Sequence, residues 1–401
     1  MRKSLLGAFV LGLGAAALLA TMPAAAQEPI KVGLILPYSG QFADAGNQID
    51  NGIKLYMQEK GDRAVGRKIE IIRKDVGGIA PDVAKRLAQE LIVRDKVDII
   101  AGFLLTPNAL AAADVSAEAK KFMVVMNAAT AIITTKSPYM ARASLTIPQL
   151  NEALGGWAFK SGIKKAYIMV SDFGPGHDAE GSFQRGFKDA GGEIVGSVRF
   201  PVANPDFSAF VQRAKDVNPE AIYVFVPGGA QPAAIGKALA DRGIDPAKTK
   251  ILAQGELTFD EALKSMGDAS LGIITALHYD YTHDSAANKA FVAAFTKAYS
   301  RNPDFFSIGG YFFSIGGYDG MHLIYESLTK ASGKTDGESL IAAAKGMSWE
   351  SPRGPVSIDP ETRDIIQNVY IRRVEKVGGQ LRNVEFDKVE KVKDPFKARM
   401  K

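Results

Sequence analysis

The sequence predicts an α/β protein of two doubly wound parallel-sheet lobes, and two observations carry that reading. Short apolar runs alternate strictly with longer amphipathic stretches from Ile30 to Ala253, the pattern of parallel strands covered by helices on both faces. The rhythm pauses near Leu145–Pro148 and then restarts, so it encodes two sheets of similar design. Beyond Ala253 the alternation breaks. A chain that visits lobe one, then lobe two, and then returns accounts for the change, with several crossovers forming a hinge.

Composition fits this architecture. The chain has 401 residues, 46% hydrophobic and 23% charged. At roughly 150 residues per domain that length supports two or three self-burying cores and excludes disordered, collagen-like and polytopic membrane chains. There is no cysteine, which removes disulfide scaffolds, thiol chemistry and Cys-ligated metals. A net charge of +5 is too small and too dispersed for nucleic-acid binding.

The first 26 residues read as an address. Arg2 and Lys3 precede an uncharged run of 16 residues, Leu5 to Ala20, and Ala24-Ala25-Ala26 precedes Gln27. A basic start, a short apolar core and an Ala-x-Ala site predict a cleaved secretory signal. The run falls short of the ~20 residues that span a bilayer. Gly12-Leu13-Gly14 through Ala17 matches a dinucleotide fingerprint, but no strand precedes it and no folded helix follows, as that motif requires.

The elements follow in order. A strand over 30–36 ends in Pro37-Tyr38-Ser39-Gly40, a turn cluster, and a helix over 48–59 places Ile49, Ile53 and Met57 at four-residue spacing. Strands at 68–72, 97–101 and 122–126 alternate with helices at 82–94 and 108–119. After Pro148 come helices at 149–160, 179–190, 207–217 and 231–242, with strands at 166–170, 194–198, 221–226 and 250–253. The last third reads as a strand at 272–277, a helix at 288–299, a long helical region over 304–330, and hairpin strands at 356–358 and 369–374. Ligands of open parallel sheets bind beyond the carboxyl ends of the strands, so the strand-end loops are the site candidates.

Those loops carry a family resemblance. The motifs are Val32-Gly33-Leu34-Ile35-Leu36-Pro37-Tyr38-Ser39-Gly40, Gly46, Gly52, Gly102 with Thr106, Asn127-Ala128-Ala129-Thr130, Ser171-Asp172-Phe173-Gly174, Tyr318-Asp319-Gly320 and Trp349-Glu350-Ser351-Pro352-Arg353-Gly354. In order and spacing the chain resembles bacterial periplasmic solute-binding proteins of the leucine/isoleucine/valine-binding family, which serve ATP-driven importers. The resemblance implies a Venus flytrap with a three-crossover hinge near 145–148, 277–279 and 351–354. It gives a signal over 1–26, lobe one over 27–146 plus 278–351, and lobe two over 147–277 plus 352–401. It also implies a monomer in the periplasm that encloses a small carboxylate and passes it to an inner-membrane ABC permease, with no cofactor and no metal.

By that resemblance, Thr106 and the turn of Ala128 and Thr130 hold the ligand carboxylate. Hydroxyl and backbone N–H donors at a helix N-terminus suit an anion, while Thr106 and Asn108 also read as caps of the next helix. Tyr38, Phe42, Phe103 and Phe173 supply apolar walls. The departures concern lobe two. Amino-acid binders of the family fix the ligand ammonium with an acidic residue where this chain has Gly255, with Glu256 one place later. The tyrosine expected shortly after Asp172 is replaced by Phe173-Gly174-Pro175-Gly176-His177, and an expected aromatic falls at Gly228-Gly229. A carboxylate clamp in a roomier aromatic pocket fits a benzoate-like or cinnamate-like acid as well as a leucine-type amino acid; Glu256, His177 and Gly229 would face that ligand.

No catalytic constellation emerges. His278 and His283 are five apart, a poor metal spacing. His177-Asp178 has no Gly-x-Ser-x-Gly elbow to activate, and Lys334-Thr335 follows Gly333 with Leu, not Gly, at 328. A sensory ectodomain is the other use of such a fold; no apolar span follows Lys376, so the alternative reading is a free periplasmic ligand-binding component of a sensory system, partnering a separate receptor. Finally, Phe305-Phe306-Ser307-Ile308-Gly309-Gly310-Tyr311 recurs unchanged as 312–318. Its glycines weaken a helix by ~1 kcal/mol each against Ala, so the first copy is expected to fray or loop.

Overall fold

The structure, a computed structural model, describes residues 28–300 and 313–400 except Asn204, Gly228 and Gly229. Lobe one opens with β1 (Ile30–Leu36), α1 (Ala43–Lys60), β2 (Arg63–Ala64), β3 (Arg67–Asp75), α2 (Pro81–Val93), β4 (Ile99–Gly102), α3 (Thr106–Ala119), β5 (Phe122–Val125) and β6 (Met140–Arg142). Lobe two follows with α4 (Ile147–Lys160), β7 (Lys165–Ser171), α5 (Gly174–Asp189), β8 (Glu193–Phe200), α6 (Phe207–Val217), β9 (Ala221–Phe225), α7 (Gln231–Asp241), β10 (Lys250–Gln254), α8 (Asp260–Met266) and β11 (Ile274–Leu277). The chain then returns through α9 (Ala286–Tyr299), α10 (Phe313–Lys330) and α11 (Gly337–Ala344). It finishes with β12 (Ser348–Ser351), β13 (Gly354–Ile358), β14 (Ile365–Val377), β15 (Gln380–Val392) and α12 (Pro395–Ala398).

The two sheets match the expected α/β class. Sheet one runs β2-β3-β1-β4-β5-β6, parallel from β3 to β6 with β2 folded back on β3. Sheet two runs β12-β13-β14-β11-β10-β9-β7-β8, and β15 pairs with β14. Its β8, β7, β9, β10 and β11 are parallel, while β12 to β15 extend it antiparallel. Strand pairing therefore runs across the 351/352 position expected as a lobe boundary. In each lobe the chain starts mid-sheet and winds both ways, leaving a crevice between β1 and β4 and another between β7 and β9. Open α/β sheets bind ligands at such reversals.

Close helix packing explains glycines that helix propensity alone disfavours. A Cβ at Gly52 of α1 would lie 1.9 Å from the carbonyl oxygen of Ser314, and one at Gly317 of α10 would lie 2.0 Å from that of Ile49. The second copy of the duplicated heptapeptide thus packs against α1 as helix from Phe313. The first copy, expected to fray or loop, lies outside the described residues, as do the expected signal over 1–26 and Gly229.

Among the described residues the chain crosses between lobes three times, after β6, after β11 and after α11. Fully buried arginines tie the crossovers together. Arg353 pairs with Asp319 at 2.8 Å, donates to the Ser144 carbonyl at 3.0 Å and also to that of Ala143. Trp349 and Ser351 donate to the same Asp319 carboxylate at 3.0 and 2.8 Å. Arg142 pairs with Asp364 at 3.0 Å, both fully buried.

Candidate functional site

The lobe-one wall is built on the loops after β1, β3, β4 and β5. Asp75, at the end of β3, accepts from the backbone N–H groups of Tyr38 and Gly77, each at 2.8 Å. Gly40 adopts φ +73°, and a Cβ there would lie 2.7 Å from the Gly77 carbonyl, so this turn needs glycine. Tyr38 and Phe42 are half-buried. Burial beside the Asp50 carboxylate pushes the Tyr38 phenol well above its ordinary range, so it stays protonated and able to donate.

Thr106 opens α3, and its Oγ1 lies 3.1 Å from Oγ1 of Thr130. The pair joins the loop after β4 to the loop after β5. Neither Thr106 nor Asn108 caps α3: the position before the helix is Leu105, without a side-chain cap. Asn108 is committed elsewhere, donating to the Gly78 carbonyl at 2.7 Å and accepting from the Ala80 N–H at 3.0 Å. It braces the loop between β3 and α2.

Two residues expected at the ligand, Phe103 and Ala128, are buried in this structure. Phe103 is 1% exposed and packs in the core that includes Leu87, Leu91 and Ile133. The Ala128 N–H donates to the Phe103 carbonyl at 3.0 Å, and the Ala128 carbonyl accepts from Arg142 at 2.9 Å. Ala128 therefore shapes the turn through both of its backbone groups.

On lobe two, Phe173 is half-buried just before α5, its ring 6.3 Å from that of Phe225. His177 lies in the first turn of α5, exposed, with Nε2 2.6 Å from Asp172 Oδ1. Glu256 follows β10 at the end of a polar chain. Tyr223 donates to Asn151 Oδ1 at 2.6 Å, Asn151 to Gln254 Oε1 at 3.0 Å, and Gln254 to Glu256 Oε1 at 2.9 Å. Burial pushes the Glu256 carboxyl up to about 7, against the opposing pull of its hydrogen bonds and of Arg372. Sequence reasoning missed Asn151, Gln254, Tyr223 and Arg142; the two polar residues at strand ends, Gln254 and Arg142, were the available signal.

A cavity of about 760 Å³ opens elsewhere, lined by Trp157, Ile163, Ile244, Lys250, Leu271 and Phe386. It sits at the amino ends of β10 and β11, remote from the strand-end loops that bind ligands in such sheets. Among the described residues no cluster of His, Asp and Glu suits a metal ion, and no helix is long and apolar enough to cross a membrane.

Comparison with known proteins places the chain in a family. A family model described as "Periplasmic binding protein" matches residues 29–380. The Leu/Ile/Val-binding protein homolog 6 of Brucella melitensis is 42% identical over 376 residues, covering 93% of this chain and 94% of that protein. A solute-binding protein of an ABC transporter from Rhodopseudomonas palustris BisB5, crystallised with 3,4-dihydroxybenzoic acid, is 53% identical with a TM-score of 0.83, covering 92% of this chain and 99% of its own. Another from R. palustris, crystallised with 4-hydroxybenzoate, is 42% identical with a TM-score of 0.85, covering 92% and 100%.

Proposed function

The chain belongs to the periplasmic binding protein family, and from that premise we propose that it captures a hydroxybenzoate-class aromatic acid for an ABC importer. The observation that carries this reading is the hydroxyl pair of Thr106 and Thr130, 3.1 Å apart at the crevice of lobe one. Two hydroxyls beside the N-terminus of α3 provide donors for a carboxylate without a fixed cation. Tyr38 and Phe42 flank that crevice, and Phe173 stands at the matching crevice of lobe two. The Rhodopseudomonas protein crystallised with 3,4-dihydroxybenzoic acid supports the choice of ligand class.

Capture follows from the two-lobed design. Open and closed forms exchange at the crossovers, and a ligand that touches both lobes shifts the population to the closed form. The mature protein, cleaved after Ala26, acts in the periplasm as a monomer, and the closed form docks on the permease. No bond is made or broken in the cargo.

A second reading takes a hydrophobic amino acid, with Glu256 as partner of its ammonium. It is favoured by the buried Glu256 carboxyl, which a bound cation would ionise. A thermal-shift panel on the chain from Gln27 onward separates the two, using leucine, phenylalanine, benzoate, 4-hydroxybenzoate, 3,4-dihydroxybenzoate and p-coumarate. A ligand at a hundredfold excess over Kd adds about 2.7 kcal/mol of stability. Shifts with the aromatic acids alone are expected; shifts with the amino acids alone would establish the second reading instead.

A further inference from the structure

The turn that carries Thr130 is gripped from behind by Arg142, while Arg363 holds the Thr134 carbonyl farther along the same segment. Arg142, fully buried at the end of β6, donates from Nη1 to the Ala128 carbonyl at 2.9 Å and from Nη2 to the Ala131 carbonyl at 3.3 Å. Its Nε donates to Asp364 Oδ1 at 3.0 Å. Nη1 also reaches the Leu145 carbonyl, in the first crossover, at 3.2 Å. One guanidinium thus joins the candidate carboxylate clamp to the hinge.

The remaining oxygen of Asp364 meets the far end of the chain. Lys397 of α12, 7% exposed, ion-pairs through Nζ with Asp364 Oδ2. The Lys397 backbone N–H is fixed by Asp394 Oδ1 at 3.0 Å, and the next turn is anchored outside by Arg399 on Glu152 at 2.6 Å.

This arrangement divides the Arg142 donors. A guanidinium and a carboxylate prefer two parallel bonds, here Nε and Nη2 to both oxygens of Asp364. Lys397 occupies Oδ2 and so leaves Nη2 on Ala131. We propose that Lys397 is a positioning residue for ligand capture, acting through Asp364 and Arg142 to hold the turn that presents Thr130. Without the ammonium, Oδ2 draws Nη2 off the Ala131 carbonyl, where the bond is the longest that Arg142 makes, and the clamp turn loosens. The consequence for ligand affinity rests on the function proposed above; the loosening itself does not.

The test uses the full chain from Gln27 onward with Lys397→Met, Lys397→Arg and Arg399→Ala. Amide hydrogen exchange of the 128–135 segment is read without ligand, and the Kd for 4-hydroxybenzoate by calorimetry. Lys397→Met is expected to speed exchange in that segment at least tenfold and to weaken binding about fivefold or more. Lys397→Arg restores both within twofold. Arg399→Ala removes the outer anchor on Glu152 and keeps the Lys397–Asp364 pair, so it leaves both unchanged. Lys397→Gln repeats the test with a smaller packing change should the methionine variant not fold. Wild-type exchange in Lys397→Met or Lys397→Gln, or equal loosening in Arg399→Ala, would overturn the proposal. If the wild type binds no aromatic acid, the ligand reading fails, while the exchange data still decide the role of Lys397.

Discussion

Thr106 and Thr130 bring their hydroxyl oxygens within 3.1 Å across 24 residues of sequence, from two different strand-end loops of lobe one. Neither residue has a capping duty that would explain the contact, since neither α3 nor the short turn over Ala131–Thr135 that Thr130 precedes has a side-chain cap. A hydrogen bond to a charged group contributes about 1.5–3 kcal/mol, so Thr106→Val and Thr130→Val should each weaken aromatic-acid binding at least tenfold. On the proposed reading that both hydroxyls serve one ligand group, the double variant should lose less than the two single losses combined. Calorimetric Kd values for the three variants check this, with melting temperatures as the control for folding.

Glu256 predicts a pH-dependent stability. Its carboxyl is raised from an ordinary 4.5 to about 7, chiefly by burial. The folded state therefore keeps this proton where the unfolded state has lost it. The stability it contributes is complete below pH 4.5 and is lost as pH rises through 7, by up to about 3 kcal/mol. Glu256→Gln should remove that slope, so the stability gap between variant and wild type should widen in favour of glutamine from pH 5 to pH 8. Urea titrations across that range measure it.

Asp364 is the counter-charge of two cations, Arg142 and Lys397. Removing one partner of a buried ion pair leaves an uncompensated charge and costs about 3–5 kcal/mol. Asp364→Ala should show a loss of that size in chemical denaturation. Surface pairs such as Lys237–Asp241, both partners more than half exposed at 2.6 Å, should contribute less than about 1 kcal/mol.

Gly317 separates packing from propensity. Alanine would raise helix propensity by ~1 kcal/mol, but its Cβ would lie 2.0 Å from the Ile49 carbonyl oxygen. Overpacking of this kind costs about 1–3 kcal/mol or more. Gly317→Ala should therefore lower the melting temperature, whereas alanine at exposed Gly346, whose φ is +71° but whose Cβ meets nothing, pays only for backbone strain.

Much of the fold is legible because its strands are short, apolar and separated by amphipathic helices. The helix expected over 207–217 matches α6 residue for residue. The α5 helix starts at Gly174, well before the 179 that periodicity suggests, because Gly-Pro-Gly carries no apolar spacing. The long strand β15 escaped notice because it is an outer strand with mostly exposed, charged side chains, and an edge rich in charge leaves no hydrophobic alternation. At the site, Thr106 and Thr130 were singled out by the family resemblance, because position alone reads equally as helix capping. Arg142 was not, since its meaning depends on Asp364, 222 residues away. The burial of Phe103 was not legible for a related reason: an aromatic after a strand reads the same whether it faces a crevice or the core.

The most direct measurement is a calorimetric titration of the chain from Gln27 onward with 3,4-dihydroxybenzoate and, separately, with leucine. Saturable one-to-one binding of the aromatic acid, at least a hundredfold tighter than leucine and weakened by Thr130→Val, is the expected result. Tight leucine binding without aromatic-acid binding would contradict it.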